Sequence, residues 1–197
     1  MNASGPRVLF MHGLESGPSG DKVQRLREAG VEVEAADMKM SIRRLDRENS
    51  VVRNLLRNTE VQAAGAAFAT SLVRSLRDGR PWTALGGIAA GASWLALCGT
   101  AVQRAALRTS YETCIEIQRA AIERYEPDVI LGSSWGGAIA IELVVGGAWK
   151  GPTVLLAPAL HRIAGRLGPS EGRGDVDAIV KRLQELAASQ RIVVMHD

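Results

Sequence analysis

The sequence has few residues of the types that bind metals or form disulfides. It contains two cysteines and three histidines among 197 residues, and these five residues are scattered along the chain. A transition-metal site needs several such ligands at short spacing, so we expect no metal and no resident cofactor. Cys98 and Cys114 lie in apolar, helix-prone segments without paired spacing, which favours buried, reduced thiols.

Lysine is also scarce, since only four of the 24 basic residues are lysine. The formal charge of +3 and the pI near 9.2 would otherwise suggest a nucleic-acid partner. The excess of arginine accompanies heavy use of alanine, glycine and valine, which a GC-rich coding sequence explains equally well. We therefore expect no nucleic-acid partner.

A strand pattern begins within a few residues of Met1 and leaves no room for a secretory signal, so the expected location is the cytoplasm.

What the sequence does contain is a short apolar run, a glycine-rich turn and an apolar helix-prone segment in succession. Residues 129–131 suit a buried strand, and residues 138–145 suit a helix. Between them lies a Gly-x-Ser-x-Gly pattern, in which Gly132 and Gly136 flank Ser134. In a nucleophile elbow this pattern joins a strand to a helix and holds the serine in a strained turn. We predict that Ser134 is a nucleophile.

The start of the chain predicts a second strand–loop–helix unit. Residues 7–11 form a buried-strand pattern, residues 12–20 a polar, glycine-rich loop and residues 21–29 an amphipathic helix. Residues 31–35 alternate between apolar and acidic, which predicts a strand near a sheet edge. A strand, a helix and a strand within about thirty residues are typical of a parallel, right-handed βαβ unit.

Together these two regions resemble the α/β-hydrolase superfamily. Residues 11–22 are similar to the opening of its small bacterial esterases, which begin with His-Gly-(Phe/Leu)-x-Ser and have a lysine soon after. Residues 152–160 are similar to the strand that follows the nucleophile helix in that group. The resemblance covers residues 7–37 and 125–197.

The resemblance implies an oxyanion hole beside Ser134. The backbone N–H groups of Leu14 and Trp135 would hold the oxyanion, and His12 and Gly13 would shape the loop that carries Leu14. A second interpretation makes His12 a general base. We favour a histidine that holds the loop backbone by a hydrogen bond, because the family's base comes from the C-terminal end of the chain.

The acid and the base of a catalytic triad are not evident in the sequence. Residues 192–197 resemble the strand that delivers the acid in this family, but the chain ends before the aspartate that follows there. We therefore expect either a fragment or a remnant that no longer hydrolyses its substrate. An internal alternative pairs Asp175 or Asp177 with His196 as the base. His161 is a further candidate base, although a histidine on a loop at the rim explains it as well.

Residues 38–108 form an insertion relative to a compact hydrolase. Residues 51–76 and 82–107 are helix-prone and rich in alanine, and residues 81–103 carry no charge over a length that reaches the threshold for a membrane span. A single crossing would separate two parts of one sheet, and the only partner run, residues 61–73, is short for a second crossing. Three interpretations remain: a helical lid or protomer interface, an interfacial hairpin, and a two-pass hairpin.

The predicted fold is a single α/β domain over residues 1–197. It is doubly wound around a mostly parallel sheet, like an α/β-hydrolase, with residues 38–108 as a helical lid and no final strand. We also expect residues 163–174 to form a glycine-rich loop.

The predicted function is hydrolysis of an apolar acyl ester or thioester, because an apolar lid would cover the site. One alternative is a catalytically inactive hydrolase-fold module that binds a ligand or, through residues 51–107, a membrane surface; a homodimer is a further expectation. A second is a nucleotide-binding protein, but the glycine-rich loops lack dinucleotide or P-loop spacing.

Overall fold

The computed structural model describes residues 5–79, 81–167 and 175–195, and for residues 81–84, 90 and 92–98 it describes the backbone alone. The strands are β1 (Arg7–Met11), β2 (Glu32–Glu34), β3 (Met40–Ser41), β4 (Asn49–Ser50), β5 (Val129–Ser133), β6 (Thr153–Leu156) and β7 (Ile192–Met195). The helices are α1 (Asp21–Glu28), α2 (Val51–Arg57), α3 (Thr59–Asp78), α4 (Pro81–Tyr125), α5 (Trp135–Val145), α6 (Leu160–Leu167) and α7 (Val176–Ala187).

The described residues form one five-stranded sheet in the order β2-β1-β5-β6-β7 and a short two-stranded sheet of β3 and β4. Every strand pair is parallel. The predicted α/β class and mostly parallel sheet are therefore confirmed. The opening βαβ unit is also present, with β2 at the sheet edge and Val8 opposite Val33.

Helices cover both faces of the large sheet, as in a doubly wound fold. Leu9, Met11, Ile130 and Leu155 pack on one face with α4, α5 and α7. The alternate residues of β1 and β5 pack on the other face with α1, as the period-two alternation of strand side chains requires. The sheet is thus buried around β1 and β5, the two strands that lead into the glycine-rich loops.

The insertion contains a helical hairpin, which is formed by α3 and the N-terminal half of the very long helix α4. The predicted helix over residues 51–76 is divided, because the Asn58 side chain accepts hydrogen bonds from the amides of Glu60 and Val61 and caps α3. Gly79 ends α3 in the left-handed conformation. The following helix, α4, has 45 residues and a length of about 68 Å.

The two halves of α4 have different neighbours. The C-terminal half packs on the sheet through Leu107, Tyr111 and Cys114, whereas the N-terminal half lies against α3, where Gly87 contacts Ser71. Within the ranges that the structure describes, no helix combines the length and the apolar character needed to cross a bilayer.

The predicted loop over residues 163–174 is wrong at its start. Residues 160–167 form α6, because Ile163, Ala164 and Leu167 lie at helical spacing and all three are buried. The single glycine inside this helix, Gly165, does not break it. The remainder of the predicted loop, residues 168–174, lies outside the described residues.

Candidate functional site

Ser134 occupies a strained turn between β5 and α5. Its φ of 52° and ψ of −112° belong to a region that non-glycine residues rarely adopt. Its N–H donates to Leu156 O at 2.9 Å, and its carbonyl accepts from Ala138 N at 3.2 Å and Ala159 N at 3.0 Å. These bonds fix the backbone of Ser134 while the residue stays exposed to solvent.

The two glycines that flank Ser134 are required by close backbone contacts. A Cβ at Gly132 would lie 2.6 Å from Gly136 O, and a Cβ at Gly136 would lie 2.0 Å from Met11 O. Both distances are too short for any side chain. The end of β1 therefore crosses directly over the first turn of α5, and the Gly-x-Ser-x-Gly pattern has a steric cause at this turn.

The loop after β1 lies beside Ser134. A Cβ at Gly13 would be 3.6 Å from Ser134 Cβ, so Gly13 lies against the serine. Leu14 is the next residue of the same loop. Trp135 is the first residue of α5, and the first amides of a helix have no acceptor within the helix. The structure thus brings the loop of Leu14 and the amide of Trp135 to the same serine.

Glu15 anchors this loop, which the sequence did not indicate. Its Oε1 accepts hydrogen bonds from Ser41 Oγ at 2.8 Å and Ile42 N at 2.7 Å, and its φ is 58°. The carboxylate therefore ties the residue after Leu14 to β3 at the start of the insertion. Only an acid in a polar loop was visible in the sequence, because the partners are some 27 residues away.

His12 holds the same loop from the inside. The residue is 1 % exposed, its Nε2 accepts from Met38 N at 3.3 Å and its Nδ1 lies 3.0 Å from Gly13 O. These partners require a neutral ring with the proton on Nδ1. Burial lowers the pKa of His12 and outweighs the attraction of Asp37, whose Oδ1 lies 3.8 Å from Nε2. With both nitrogens bonded to backbone, His12 has no free nitrogen for a general base.

The Trp135 side chain lies in the core and leaves only its amide at the site. Its ring packs edge-on against Tyr111 with 5.4 Å between centroids, and Tyr111 donates to Ala138 O at 3.2 Å.

Cys114 is buried beside this aromatic pair, and Asn49 Nδ2 lies 3.2 Å from its Sγ. Burial raises the pKa of Cys114 to about 12, so this thiol is protonated and unreactive. The side chain of the other cysteine, Cys98, lies outside the described residues.

A cavity of about 380 Å³ opens beside Ser134. Its lining comes from β1, the loop over residues 13–20, the first turn of α1 and the two serines of the elbow, and none of it from the insertion. Lys22 lies on this lining, and its Nζ donates to Ser133 Oγ at 2.9 Å. Lys22 belongs to the opening motif, but the sequence assigned it no role, because Ser133 is 111 residues away.

The other residues predicted for a triad are not joined to Ser134. Asp175 caps α7 by accepting from Ala178 N at 3.0 Å, and Asp177 is exposed in the first turn of the same helix. His161 is exposed at the start of α6 and lines a separate cavity beside α7 and β7. In the described ranges no hydrogen bond connects any of them with the Ser134 hydroxyl. His196 lies outside the described residues.

Comparison of the chain with models of protein families, with curated proteins and with solved structures found no match. In the part of the chain that the structure describes, no group of three histidine, cysteine, aspartate or glutamate side chains is placed to hold a metal ion. The geometry around Ser134 is therefore the basis for a functional assignment.

Proposed function

We propose that the protein is a serine hydrolase of the esterase or thioesterase type, with Ser134 as the nucleophile. The observation that carries the proposal is the exposed serine at a φ of 52°, held on a strand-to-helix turn by glycines that backbone contacts require. Strain of this kind costs about 1–3 kcal/mol and is concentrated at functional sites. Four other non-glycine residues in the described ranges also have positive φ, so the support comes from the strain together with the exposure of Ser134 and the two required glycines.

In the proposed reaction Ser134 Oγ attacks the carbonyl carbon of an ester or thioester. The amides of Leu14 and Trp135 stabilise the negative charge that develops on the carbonyl oxygen. The alcohol or thiol then leaves, and water hydrolyses the acyl-enzyme. The apolar acyl group predicted from the sequence depends on the insertion as a lid, and the insertion does not line the cavity at Ser134, so the proposal specifies the ester or thioester alone.

The serine proton passes to solvent in this reaction. The internal pairing that the sequence offers, His196 with Asp175 or Asp177, is not used in the proposal, because Asp175 caps α7 and His196 lies outside the described residues. We expect slow turnover, because no base is hydrogen-bonded to Ser134 among the described residues. A serine with an oxyanion hole but an incomplete triad retains about 10³–10⁴-fold acceleration over water.

Labelling with a fluorophosphonate tests Ser134 without requiring turnover. The Ser134 Oγ–phosphorus bond forms, fluoride leaves and the serine proton passes to solvent. We expect the wild-type protein to be labelled at Ser134 and Ser134→Ala to lose the label, with peptide mass mapping as the measurement. Ser133→Ala is the matched control, because it removes the adjacent hydroxyl and should keep the label. An unlabelled wild type, or a label that survives Ser134→Ala, contradicts the proposal.

A second candidate function is binding to a membrane surface through the helical hairpin. Phe68, Leu72 and Leu76 follow one another at spacings of four residues along α3, and all three are exposed, Leu76 by 77 %. Arg74 and Arg77 lie in the same part of the helix. An apolar row beside arginines is typical of a helix that lies in the interface between lipid headgroups and acyl chains.

Vesicle flotation tests this second candidate. We expect the wild-type protein to float with vesicles that contain anionic lipid. The double variant Leu72→Ser, Leu76→Ser should bind these vesicles at least about tenfold more weakly, because two exposed apolar contacts are lost. Leu45→Ser is the control, since Leu45 is also exposed but lies before the helical hairpin. If the wild-type protein stays in the soluble fraction, the membrane role is wrong. If the protein instead forms dimers in a concentration-dependent way, the apolar row of α3 is the contact with a second copy of the chain.

A further inference from the structure

The cavity beside Ser134 combines an apolar floor with a single cationic side chain. Phe10 and Val23, both deeply buried, form part of the floor, and Lys22 lies on the wall beside Ser133. A volume of about 380 Å³ is at the lower end of the range for small-molecule sites. The cavity therefore has room for a short chain that carries a polar group at one end and meets Ser134 at the other.

Lys22 has binding capacity left after its contact with Ser133. An ammonium group has three donors, and one of them is used in the 2.9 Å bond to Ser133 Oγ. Among the residues that the structure describes, the ion pairs do not include Lys22. A cation at the wall of a cavity that forms no ion pair with the neighbouring Asp21 favours a ligand that brings its own negative charge.

The charge of the lining limits what this anion is. Asp21 also lines the cavity, so the two charged side chains there sum to zero. A doubly charged phosphate would meet twice the repulsion from Asp21 that a carboxylate meets, with the same single cation, Lys22, to bind it. The lining therefore favours a monoanionic ligand.

We infer that the substrate is an ester that carries a carboxylate, which Lys22 binds in the cavity while Ser134 attacks the ester carbonyl. The inference rests on the proposed hydrolase function and names the substrate class of the same site. Lys22 is then a specificity-determining residue, and monoesters of short dicarboxylic acids have the required chemistry. An apolar acyl or alcohol group would occupy the other half of the ester, outside this cavity.

The test compares two fluorophosphonates whose alkyl chains end in a carboxylate or in the isosteric carboxamide. We expect the carboxylate probe to label wild-type Ser134 about three- to fivefold faster, which is the size expected for a partly exposed ion pair. The preference should decline towards unity in Lys22→Met and at high ionic strength, because salt screens an exposed pair. Lys22→Arg should retain it.

Two controls separate this role from a structural one. Lys150→Met removes an exposed lysine after α5 that does not line the cavity, and it should keep the preference of the wild type. Asp21→Asn removes the negative charge from the lining and should raise the preference. A Lys22 that only braced Ser133 would change the rates of both probes equally, and the ratio would stay constant.

Equal labelling of wild-type Ser134 by the two probes, or an unchanged ratio in Lys22→Met, overturns the inference. If neither probe labels Ser134, the proposed function fails, but the role of Lys22 can still be tested by ligand binding. Calorimetry would compare the affinity of monomethyl glutarate for the Ser134→Ala variant and for the double variant Ser134→Ala, Lys22→Met. Binding that is lost with Lys22→Met supports the carboxylate site, and binding that is absent or unaffected by Lys22→Met rejects it.

Discussion

Strained residues collect where strands of the large sheet end. Of the five non-glycine residues with positive φ in the described ranges, Ser134 and Ala157 directly follow β5 and β6, and Glu15 lies in the loop after β1. Each such residue costs about 1–3 kcal/mol. At Ser134 hydrogen bonds to three other residues offset this cost, and at Glu15 two bonds from the insertion do so. The strain therefore persists at the sheet edge that carries the candidate site.

His12 predicts a stability that depends on pH. Burial lowers its pKa in the folded protein from the ordinary 6.5, so the unfolded chain binds a proton at a higher pH than the folded one. The free energy of unfolding should therefore decrease as pH falls below 6.5, by at most about 1.4 kcal/mol per pH unit for one proton. The loss should continue until the pH reaches the lowered pKa of the folded state.

Denaturant unfolding between pH 7.5 and 5 measures this slope. His12→Asn should flatten it. If His12→Asn does not fold, NMR titration of the wild-type imidazole gives the same answer. A His12 that titrates at or above 6.5 in the folded protein contradicts the assignment.

At the scale of elements, the candidate site depends on the crossing of β1 over α5. Met11 O and His12 O both lie closer to Gly136 than a side chain allows. The same approach brings Gly13 to Ser134, so the distance between the strand and the helix sets the position of the loop that carries Leu14. The insertion supports this arrangement from the other side, because Glu15 is bound by Ser41 and Ile42.

Gly136→Ala should disrupt this crossing. A methyl group 2.0 Å from Met11 O forces the backbone of β1 or α5 to move, and we expect a loss of roughly 2–4 kcal/mol in the free energy of unfolding together with slower labelling of Ser134. Gly65→Ala is the matched control. No atom lies within 4 Å of a Cβ at Gly65 in the middle of α3, so alanine there should stabilise the helix by about 1 kcal/mol. Similar unfolding midpoints for the two variants would show that the crossing tolerates a side chain.

At the scale of the whole molecule, the parallel sheet gathers loops from distant parts of the chain. The carboxyl ends of β1 and β5 are adjacent because these strands pair directly, which places the loop after residue 11 beside the turn after residue 133. The cavity and Lys22 lie between these loops and α1. The helical hairpin does not contribute to this cavity, so its exposed apolar row needs a separate explanation, which the flotation experiment addresses.

The sequence by itself determined the strands of the large sheet, α1 and the turn at Ser134, because these depend on local properties. Alternation of apolar residues sets a strand, and glycines at fixed spacing set a tight turn. The hydrophobic pattern also indicated helices in the insertion, but not the break at Asn58, where a side-chain cap competes with helix continuation. In α6, tertiary burial of Ile163 and Leu167 outweighed the glycine-rich composition that predicted a loop.

Only the tertiary structure decided the contacts between segments that are far apart in the chain. The bond from Lys22 to Ser133, the anchoring of Glu15 by Ser41 and the bond from Met38 to His12 span from 26 to 111 residues. No local pattern encodes them, because they depend on how the strands are ordered and how closely β1 approaches α5. The candidate serine and the loop beside it were therefore indicated by the sequence, whereas the contacts of Lys22 and Glu15 became apparent only when the sheet had brought distant segments together.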